Sequence, residues 1–288
     1  MSLSACSPTE AKDDGEDNPW SWDKGKEDET QKGGSLFYPK AEGSFRIMVY
    51  NVGAFGKYME NSTDMVAAMI KEVEADVVGI NELDSCNARH RYNQAAMLAS
   101  ALGNWQWRFG RTLYPYRDGA YGNGAMIPSD RKIVDSYVIP FPSLGNFEKR
   151  ALLVVETDKY VLGVSHVDHS SEPPAYAADQ YADMQIDEIC KWAQREYKDY
   201  DKPVFFCGDM NSIPTSEPIT RLKSVFELIS SAEPSVPVTG PTRCIDYIFM
   251  YKGAKQVKVL GSNTMTKFTN GDVTKASDHC PVYVDVKL

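Results

Sequence analysis

Short apolar segments rich in β-branched residues recur along the sequence, and they constrain its fold more than any other feature. Their length and composition predict buried strands, which lie at residues 45–52, 76–81, 151–157, 160–166, 203–207, 245–250, 256–260 and 281–287. Segments with helical periodicity predict helices at residues 61–75, 92–103 and 175–197. Because the strands outnumber the helices and several are apolar on both faces, we predict an α/β domain with stacked sheets and outer helices.

Residues 1–44 differ in composition from the predicted domain, which spans residues 45–288. They are rich in charge, glycine, proline and serine without periodicity, which predicts a flexible acidic linker. Of the net charge of −9, residues 1–45 contribute −5, from ten acidic and five basic residues. The rest of the chain is therefore only mildly acidic, which argues against a dedicated nucleic-acid-binding protein but leaves a local basic groove open.

The segment Leu3-Ser4-Ala5-Cys6 resembles a bacterial lipobox, in which the cysteine is lipidated and becomes the new N-terminus. A chance match of small residues is the alternative. A lipobox would place the protein outside the cytoplasm, as a lipoprotein of the bacterial cell envelope held by acyl chains. No apolar run of about 18 residues is present, so we expect the protein to contact the membrane only through this anchor. We also expect a monomer.

The cysteines carry little information about function. If Cys6 is lipidated, an odd number remains, without CxxC spacing: Cys86, Cys190, Cys207, Cys244 and Cys280. This pattern excludes a full disulfide framework and argues against a zinc site. One disulfide remains open, and the sequence does not indicate which.

Polar residues occur at or beside the ends of several predicted strands. They are acids, amides and imidazoles: Asn51, Glu82, His166, Asp168, Asp209, Asn211, Asp246, Asp278 and His279. Taken singly, most have an ordinary explanation as turn or cap residues. Asp246 is harder to explain, because it lies within the apolar segment "CIDYIFM". Burial of even a neutral polar group without a partner costs about 2–7 kcal/mol, and burial of a carboxylate costs more. We therefore expect Asp246 to accept a hydrogen bond, and a histidine is a good candidate for the donor.

The same set of residues suits one kind of chemistry. Hard divalent cations such as Mg²⁺ prefer oxygen ligands, which Glu82, Asp209, Asp246 and Asp278 could supply. Histidines can act as general acids or bind a phosphoryl oxygen as imidazolium. Neither a G-x-S-x-G segment nor a GxxxxGK[ST] phosphate loop is present. The pattern favours metal-assisted attack of water on phosphorus over a covalent serine mechanism.

Six segments occur in an order that resembles the endonuclease/exonuclease/phosphatase superfamily, whose members include deoxyribonuclease I. They are "YN", "GINE", "SHVDH", "GDMN", "IDYIF" and "SDHCPV", within residues 50–282. The resemblance implies a four-layer sandwich of two stacked, mainly antiparallel β-sheets flanked by helices, and a metal-dependent phosphoesterase using Mg²⁺ or Mn²⁺.

The resemblance also implies roles for single residues. Glu82 would be the principal metal ligand with Asn51 beside it, and Asp278 would lie close enough to assist a second metal. Asp209 would position or deprotonate the attacking water, and Asn211 would hold this water and the phosphate. His279, oriented by Asp246, would contact the scissile phosphate, and His166 would protonate the leaving oxygen or stabilise the transition state.

Further substrate contacts are predicted at three positions and remain open at others. Asn123 in "YGNGAMIPS" and Arg150 in "FEKRALLVVE" lie in segments that resemble the family, and Arg117 ends the basic and aromatic stretch 105–117. We expect this stretch to be a packed loop, with a groove for phosphates and stacked rings as the alternative. The segment 175–185 lacks an arginine that relatives often carry there, which leaves one phosphate contact unassigned.

The substrate is open between nucleic acid, nucleotide, phospholipid head group and sugar phosphate, and monoesterase and diesterase activities are not distinguished. Phospholipase C-like or sphingomyelinase-like activity and sugar-phosphate phosphatase activity are alternatives within the enzyme class. A catalytically inactive cell-surface binding protein that retains the fold is the alternative outside it. Since no metal-ligating or acid–base position of the family is lost, we expect an active enzyme.

Overall fold

The computed structural model describes residues 34–142, 148–168 and 175–288, with the backbone alone for the helical residues 175–181. The lipobox-like residues 3–6, most of the predicted linker and His169 lie outside the described residues. Within the described part of the chain, no helix combines the length and the apolar composition needed to cross a membrane.

The described residues form twelve strands and five α-helices. The strands are β1 (Phe45–Asn51), β2 (Val77–Ser85), β3 (Trp105–Tyr116), β4 (Gly119–Pro128), β5 (Ile133–Pro140), β6 (Ala151–Thr157), β7 (Val161–His166), β8 (Val204–Asp209), β9 (Phe226–Leu228), β10 (Asp246–Tyr251), β11 (Lys258–Thr264) and β12 (Val282–Lys287). The helices are α1 (Thr63–Glu72), α2 (Gln94–Leu102), α3 (Ala175–Glu196), α4 (Glu217–Val225) and α5 (Val273–Ala276).

The strands form two six-stranded sheets of matching design. The first has the order β11-β12-β1-β2-β4-β3, and the second has the order β5-β6-β7-β8-β10-β9. In each sheet the central pair is parallel, β1 with β2 and β7 with β8, and the other pairs are antiparallel. The carboxyl ends of two parallel strands lie at the same edge of a sheet, so each central pair presents two chain ends side by side.

Three apolar layers hold the sheets and helices together. One layer lies between the first sheet and helices α1 and α2 and includes Ile70 and Leu98. The middle layer lies between the two sheets and includes Val49 and Phe205. The third layer lies between the second sheet and helices α3 and α4 and includes Trp192. This helix–sheet–sheet–helix arrangement is a four-layer sandwich of mainly antiparallel sheets, which confirms the predicted fold class.

Two parts of the structure differ from the sequence-based expectation. The stretch predicted as a packed loop is strand β3, at the edge of the first sheet, where Trp105 and Trp107 pack against the core beneath α2. The folded body also begins before Phe45, because Tyr38 is 7% exposed and its ring contacts Tyr283 with centroids 6.0 Å apart. The linker boundary predicted at residue 44 therefore falls inside packed structure.

Four cysteines lie buried as free thiols in the described residues: Cys190, Cys207, Cys244 and Cys280. Burial raises the pKa of the Cys190 and Cys280 thiols to about 12. These thiols are therefore protonated, unreactive core residues.

Candidate functional site

The parallel strand pairs at the centres of the two sheets, β1–β2 and β7–β8, have their carboxyl ends close together. At the end of the first pair Asn51 is the register partner of Asn81, and at the end of the second pair His166 is the partner of Asp209. Strand β10 begins beside them, because Asp246 is the antiparallel partner of Asp209. Four predicted polar positions, and Asn81 with them, are thus fixed by strand register rather than by loops, which makes their relative placement precise.

Asp209 lies at the centre of this group and is 1% exposed. Its Oδ2 accepts a hydrogen bond from Asn51 Nδ2 at 3.0 Å, and its Oδ1 accepts one from the Asn211 backbone N–H at 2.8 Å. The Oδ2 atom also lies 3.6 Å from His166 Nε2 and 3.7 Å from His279 Nε2. One buried carboxylate therefore faces both imidazoles that the sequence singled out.

Asn81 joins the two sheets directly behind Asp209. Its Oδ1 accepts a hydrogen bond from the Asp209 backbone N–H at 2.9 Å, and its Nδ2 donates to the carbonyl of Ser165 at 2.9 Å and to Asn123 Oδ1 at 2.9 Å. Asn123 is buried, and its Nδ2 donates to the Ala151 carbonyl at 3.4 Å. The structure therefore places Asn123 in the buried support of the site rather than at the surface where a substrate contact was predicted.

Gly208 permits the close approach of strands β7 and β8 next to Asp209. Its φ is +152°, and a Cβ built there would lie 1.7 Å from the carbonyl oxygen of Ser165. This is the same carbonyl that accepts the hydrogen bond from Asn81. A side chain at position 208 would therefore separate the strands that align Asp209 with His166.

A bulge in β2 sets the direction of the Glu82 side chain. The pairing of β2 with β4 shifts register between Ile80 and Leu83, and Glu82 has a φ of +62°, as expected for a residue in a bulge. Its Oε1 accepts a hydrogen bond from Asn51 Nδ2 at 3.1 Å, and the side chain is half-buried. No group among the described residues donates to Oε2, so one carboxylate oxygen is open to a ligand.

His279 and Asp246 form a buried hydrogen-bonded pair, which confirms the expectation that a histidine donates to Asp246. The His279 Nδ1 lies 2.8 Å from Asp246 Oδ2, and Ser235 Oγ donates to the same oxygen at 2.6 Å. The backbone N–H of His279 donates to Ser277 Oγ, which itself donates to the Asn51 carbonyl at 2.6 Å. This chain of contacts fixes the ring, so that its Nε2 faces Asp209. Ser235 and Ser277 were not predicted, since serines in loops are too common to stand out.

Burial and charge shift the pKa values of Asp209 and His279, which both lie beside Asp246. Burial, reinforced by the charge of Asp246, raises the pKa of Asp209 to about 7. For His279, burial alone would lower the pKa, but the carboxylates of Asp246 and Asp209 outweigh it and raise the pKa to about 10. Near neutral pH the site therefore combines a cationic imidazole with a carboxyl group that exchanges its proton readily.

His166 and Asn211 occupy the other side of Asp209. Asn211 has a φ of +48°, and its Nδ2 donates to the Val167 carbonyl at 2.9 Å and lies 2.9 Å from His166 Nε2. The amide thus fixes the end of β7 relative to the end of β8. His166 is 5% exposed, so its ring lies at the floor of the site.

Asp278 pairs with a lysine that the sequence did not indicate. Lys57 Nζ lies 2.7 Å from Asp278 Oδ2. Lys57 occurs in a polar loop, "GKYMENS", in which a solvated lysine is the ordinary expectation, so no pattern distinguished it. Its proximity to the site follows only from the fold.

Two predicted arginines lie in different places. Arg150 is 8% exposed beside the site, with Nη2 at 3.2 Å from Glu148 Oε1 and 3.7 Å from Asp168 Oδ1. Burial raises the pKa of Glu148, although the charge of Arg150 opposes the shift. Arg117 is exposed in the turn between β3 and β4, where its guanidinium lies over the Tyr116 ring at 5.5 Å.

The oxygen and nitrogen atoms of the site fit a hard divalent cation, and one residue is better placed to bind it than the others. Asn51 presents its NH₂ group to Glu82 and Asp209, so it holds these carboxylates and could ligate a metal only after its amide rotates. Ligand atoms of Asp209, Asp246 and His279 lie within 4.8 Å of one another, but the Asp246 Oδ2 atom is occupied by Ser235 Oγ and His279 Nδ1, and this group is buried. Glu82, with an open carboxylate oxygen at the mouth of the site, is the residue best placed to bind a metal.

Comparisons with known proteins agree with this geometry. The family model described as "Endonuclease/Exonuclease/phosphatase family" matches residues 48–279. Among solved structures, the mannosyl-6-phosphatase of Bacteroides thetaiotaomicron has a TM-score of 0.65 and 16% identity, and the match covers 84% of this chain and 99% of that chain. A humanized D. rerio TDP2 has a TM-score of 0.64 and 19% identity, with coverage of 85% and 100%. A Beutenbergia cavernae endonuclease/exonuclease/phosphatase has a TM-score of 0.64 and 21% identity, with coverage of 85% and 72%. No curated protein sequence matches the chain.

Proposed function

The chain belongs to the endonuclease/exonuclease/phosphatase family, and on this basis we propose that it is a divalent-metal-dependent hydrolase of phosphoester bonds. One observation carries the proposal. The Asp209 carboxylate faces two imidazoles at 3.6 and 3.7 Å and shares the amide of Asn51 with Glu82. Hydrolysis of a phosphoester needs a base for water, hydrogen-bond donors for the phosphoryl oxygens and a binding site for a cation. The Asp209 carboxylate, the two imidazoles and the Glu82 carboxylate can supply these three in turn.

In this proposal each residue has one task. Glu82 would hold a Mg²⁺ or Mn²⁺ ion, which would supply a Lewis acid for the phosphoryl group. Asp209 accepts a proton from the attacking water, which its pKa of about 7 allows near neutral pH. The cationic His279 donates a hydrogen bond from Nε2 to a phosphoryl oxygen, and Asp246 holds its ring. His166 lies on the opposite side of Asp209, and it can donate a proton to the leaving oxygen from Nε2 once this atom is protonated and separates from the Asn211 amide.

The test is hydrolysis of bis(p-nitrophenyl) phosphate by the purified chain. We expect turnover with Mg²⁺ or Mn²⁺ and a fall to the enzyme-free rate with EDTA, because the phosphoryl charge then has no Lewis acid. The monoester p-nitrophenyl phosphate, measured in parallel, distinguishes diesterase from monoesterase activity. A chain that is inert with both esters, nucleic acid, phospholipid and sugar phosphates would instead support the binding-protein alternative.

A surface beside the site favours a nucleic acid as the substrate. It consists of arginines and tyrosines at the end of β3, in the turn that follows it and in the loop after β2. We call it the Arg/Tyr surface: the exposed Arg91, Tyr92, Arg111, Tyr114 and Arg117, and the half-buried Tyr116. The guanidinium of Arg111 lies over the Tyr114 ring at 4.5 Å, and Tyr114 is 60% exposed. Among the described residues, no acidic side chain forms an ion pair with any of the three arginines.

The Arg/Tyr surface is continuous with Glu82. The Ala88 backbone N–H donates to the Arg117 carbonyl at 2.6 Å, which joins the two loops. Tyr121 on β4 joins this surface to the strand that carries Glu82, because its ring lies 5.5 Å from the Tyr116 ring between centroids and it is the register partner of Asp84 on β2. Arginines bind backbone phosphates and tyrosine rings stack on bases, so single-stranded nucleic acid is the substrate that this surface fits best.

Binding of a fluorescent single-stranded oligonucleotide in EDTA tests this substrate without turnover. We expect Arg111→Ala combined with Arg117→Ala to weaken binding by about tenfold or more and to reduce the salt slope of log affinity by about 2. Arg195→Ala is the matched control, since this exposed arginine lies on α3 and not beside the site. Equal affinity of the double variant, the control and the wild type would exclude the Arg/Tyr surface from substrate binding.

A further inference from the structure

The ion pair of Lys57 with Asp278 lies where the family resemblance would allow a second metal. Lys57 Nζ is 2.7 Å from Asp278 Oδ2, and the lysine and aspartate side chains are 47% and 25% exposed. The other carboxylate oxygen, Oδ1, lies at 3.5 Å from Ser277 Oγ. A metal at Asp278 would have to displace the ammonium group from Oδ2.

The backbone around this pair holds both partners in place. The Asp278 carbonyl accepts a hydrogen bond from the Val238 N–H at 2.7 Å, and the neighbouring Ser277 Oγ donates to the Asn51 carbonyl. Gly53 has a φ of +53°, and a Cβ built there would lie 3.2 Å from Lys57 Cβ and 3.6 Å from Asp278 Oδ1. The glycine turn therefore packs against the lysine stem and the carboxylate together.

The pair with Asp278 keeps the ammonium group charged. The hydrogen bond with Asp278 is the largest influence on the pKa of Lys57, and together with the charges of Asp278 and Glu82 it raises that pKa despite partial burial. Lys57 is therefore cationic in the physiological range. An ammonium group carries three N–H donors, and Asp278 uses one of them, which leaves donors for an oxygen of a bound phosphate.

We propose that Lys57 takes the place of a second divalent cation, so that the site binds one metal ion, at Glu82. This inference rests on the proposed metal-dependent phosphoesterase function. It makes Asp278 a partner of Lys57 rather than a metal ligand. In the reaction Lys57 supplies a fixed positive charge beside the phosphoryl group, as a second metal ion would.

Manganese titration followed by electron paramagnetic resonance measures the number of bound ions without substrate or turnover. The wild type is expected to bind one Mn²⁺ per chain. Lys57→Ala is expected to bind a second, weaker Mn²⁺, because Asp278 is then without its cation, and Lys57→Met should do the same. Lys57→Arg keeps the charge and should bind one ion. Thermal unfolding of each variant establishes that it is folded.

The outcomes separate this inference from the proposed function. Two Mn²⁺ ions in an active wild type, or a single ion in both the alanine and the methionine variant, would overturn the role of Lys57 and leave the phosphoesterase proposal intact. A wild type that binds no Mn²⁺ and hydrolyses no phosphoester would overturn both. One ion in the wild type and the arginine variant, with two in the others, supports the inference.

Discussion

Glu82→Ala is expected to remove both divalent-metal binding and hydrolysis. Glu82 is the predicted metal ligand at the mouth of the site, and among the described residues no group donates a hydrogen bond to its Oε2. Loss of a Lewis acid costs several kcal/mol of transition-state stabilisation, so we expect kcat/KM to fall by about 10³-fold or more. Isothermal titration with Mn²⁺ and hydrolysis of bis(p-nitrophenyl) phosphate measure the two effects.

Controls separate loss of the metal from loss of the fold. Glu227→Ala removes an exposed glutamate on β9 and should change neither metal affinity nor turnover. Glu82→Gln keeps an oxygen that can accept the hydrogen bond from Asn51, but it loses the charge that binds the cation. A Glu82→Ala protein that unfolds at the wild-type temperature and still binds Mn²⁺ with wild-type affinity would show that the metal binds elsewhere.

The strand-end residues could be predicted from the sequence because strand register determines where they lie. Asn51 and Asp209 each end an apolar strand, and in a parallel pair the residues at such ends are neighbours. The buried position of Asp246 in an apolar segment likewise required a donor, and His279 provides it. These inferences hold because burial leaves a polar group few alternatives.

The residues supplied by loops and edge strands could not be predicted in the same way. Strand β3 is an edge strand in which Trp105, Trp107 and Phe109 face the layer beneath the helices. Arg108 points to the opposite face and donates to Ser136 Oγ on β5 of the second sheet. The arginines, glycine and proline within it are typical of a loop and obscured this alternation. Lys57 lies in a polar loop, and only the folded chain shows that this loop meets Asp278.

Asn123 shows a different limit. The segment around it resembles the family, and this resemblance indicates a functional position without saying which atoms are exposed. In the structure the Asn123 amide is used by Asn81 and by the Ala151 carbonyl, so it acts on the site through Asn81. A resemblance identifies the position, whereas the hydrogen bonds determine what the side chain does there.

His279→Asn is expected to reduce turnover by about 10²- to 10⁴-fold while leaving metal affinity unchanged. The cationic Nε2–H that faces Asp209 and the phosphoryl group is lost, whereas Glu82 is untouched. Mn²⁺ titration should therefore give the wild-type affinity within about twofold, and kcat should carry the loss. Metal affinity that falls together with turnover would contradict the assigned role and make His279 a metal ligand.

The pH dependence of the same histidine gives an independent test. Asp246 and Asp209 hold the pKa of His279 at about 10 against the effect of burial, so the wild-type rate should fall as the pH rises through about 10, where the imidazole loses its proton. The raised pKa also stabilises the fold. This stabilisation is fully present below the ordinary histidine pKa, and it is lost as the pH rises through the folded-state pKa of about 10. Asp246→Asn removes the nearest carboxylate but keeps its shape, so burial should then dominate and the alkaline fall in rate should move to lower pH by about one unit or more. An alkaline limb that stays in place in Asp246→Asn would mean that another group than His279 carries the catalytic proton.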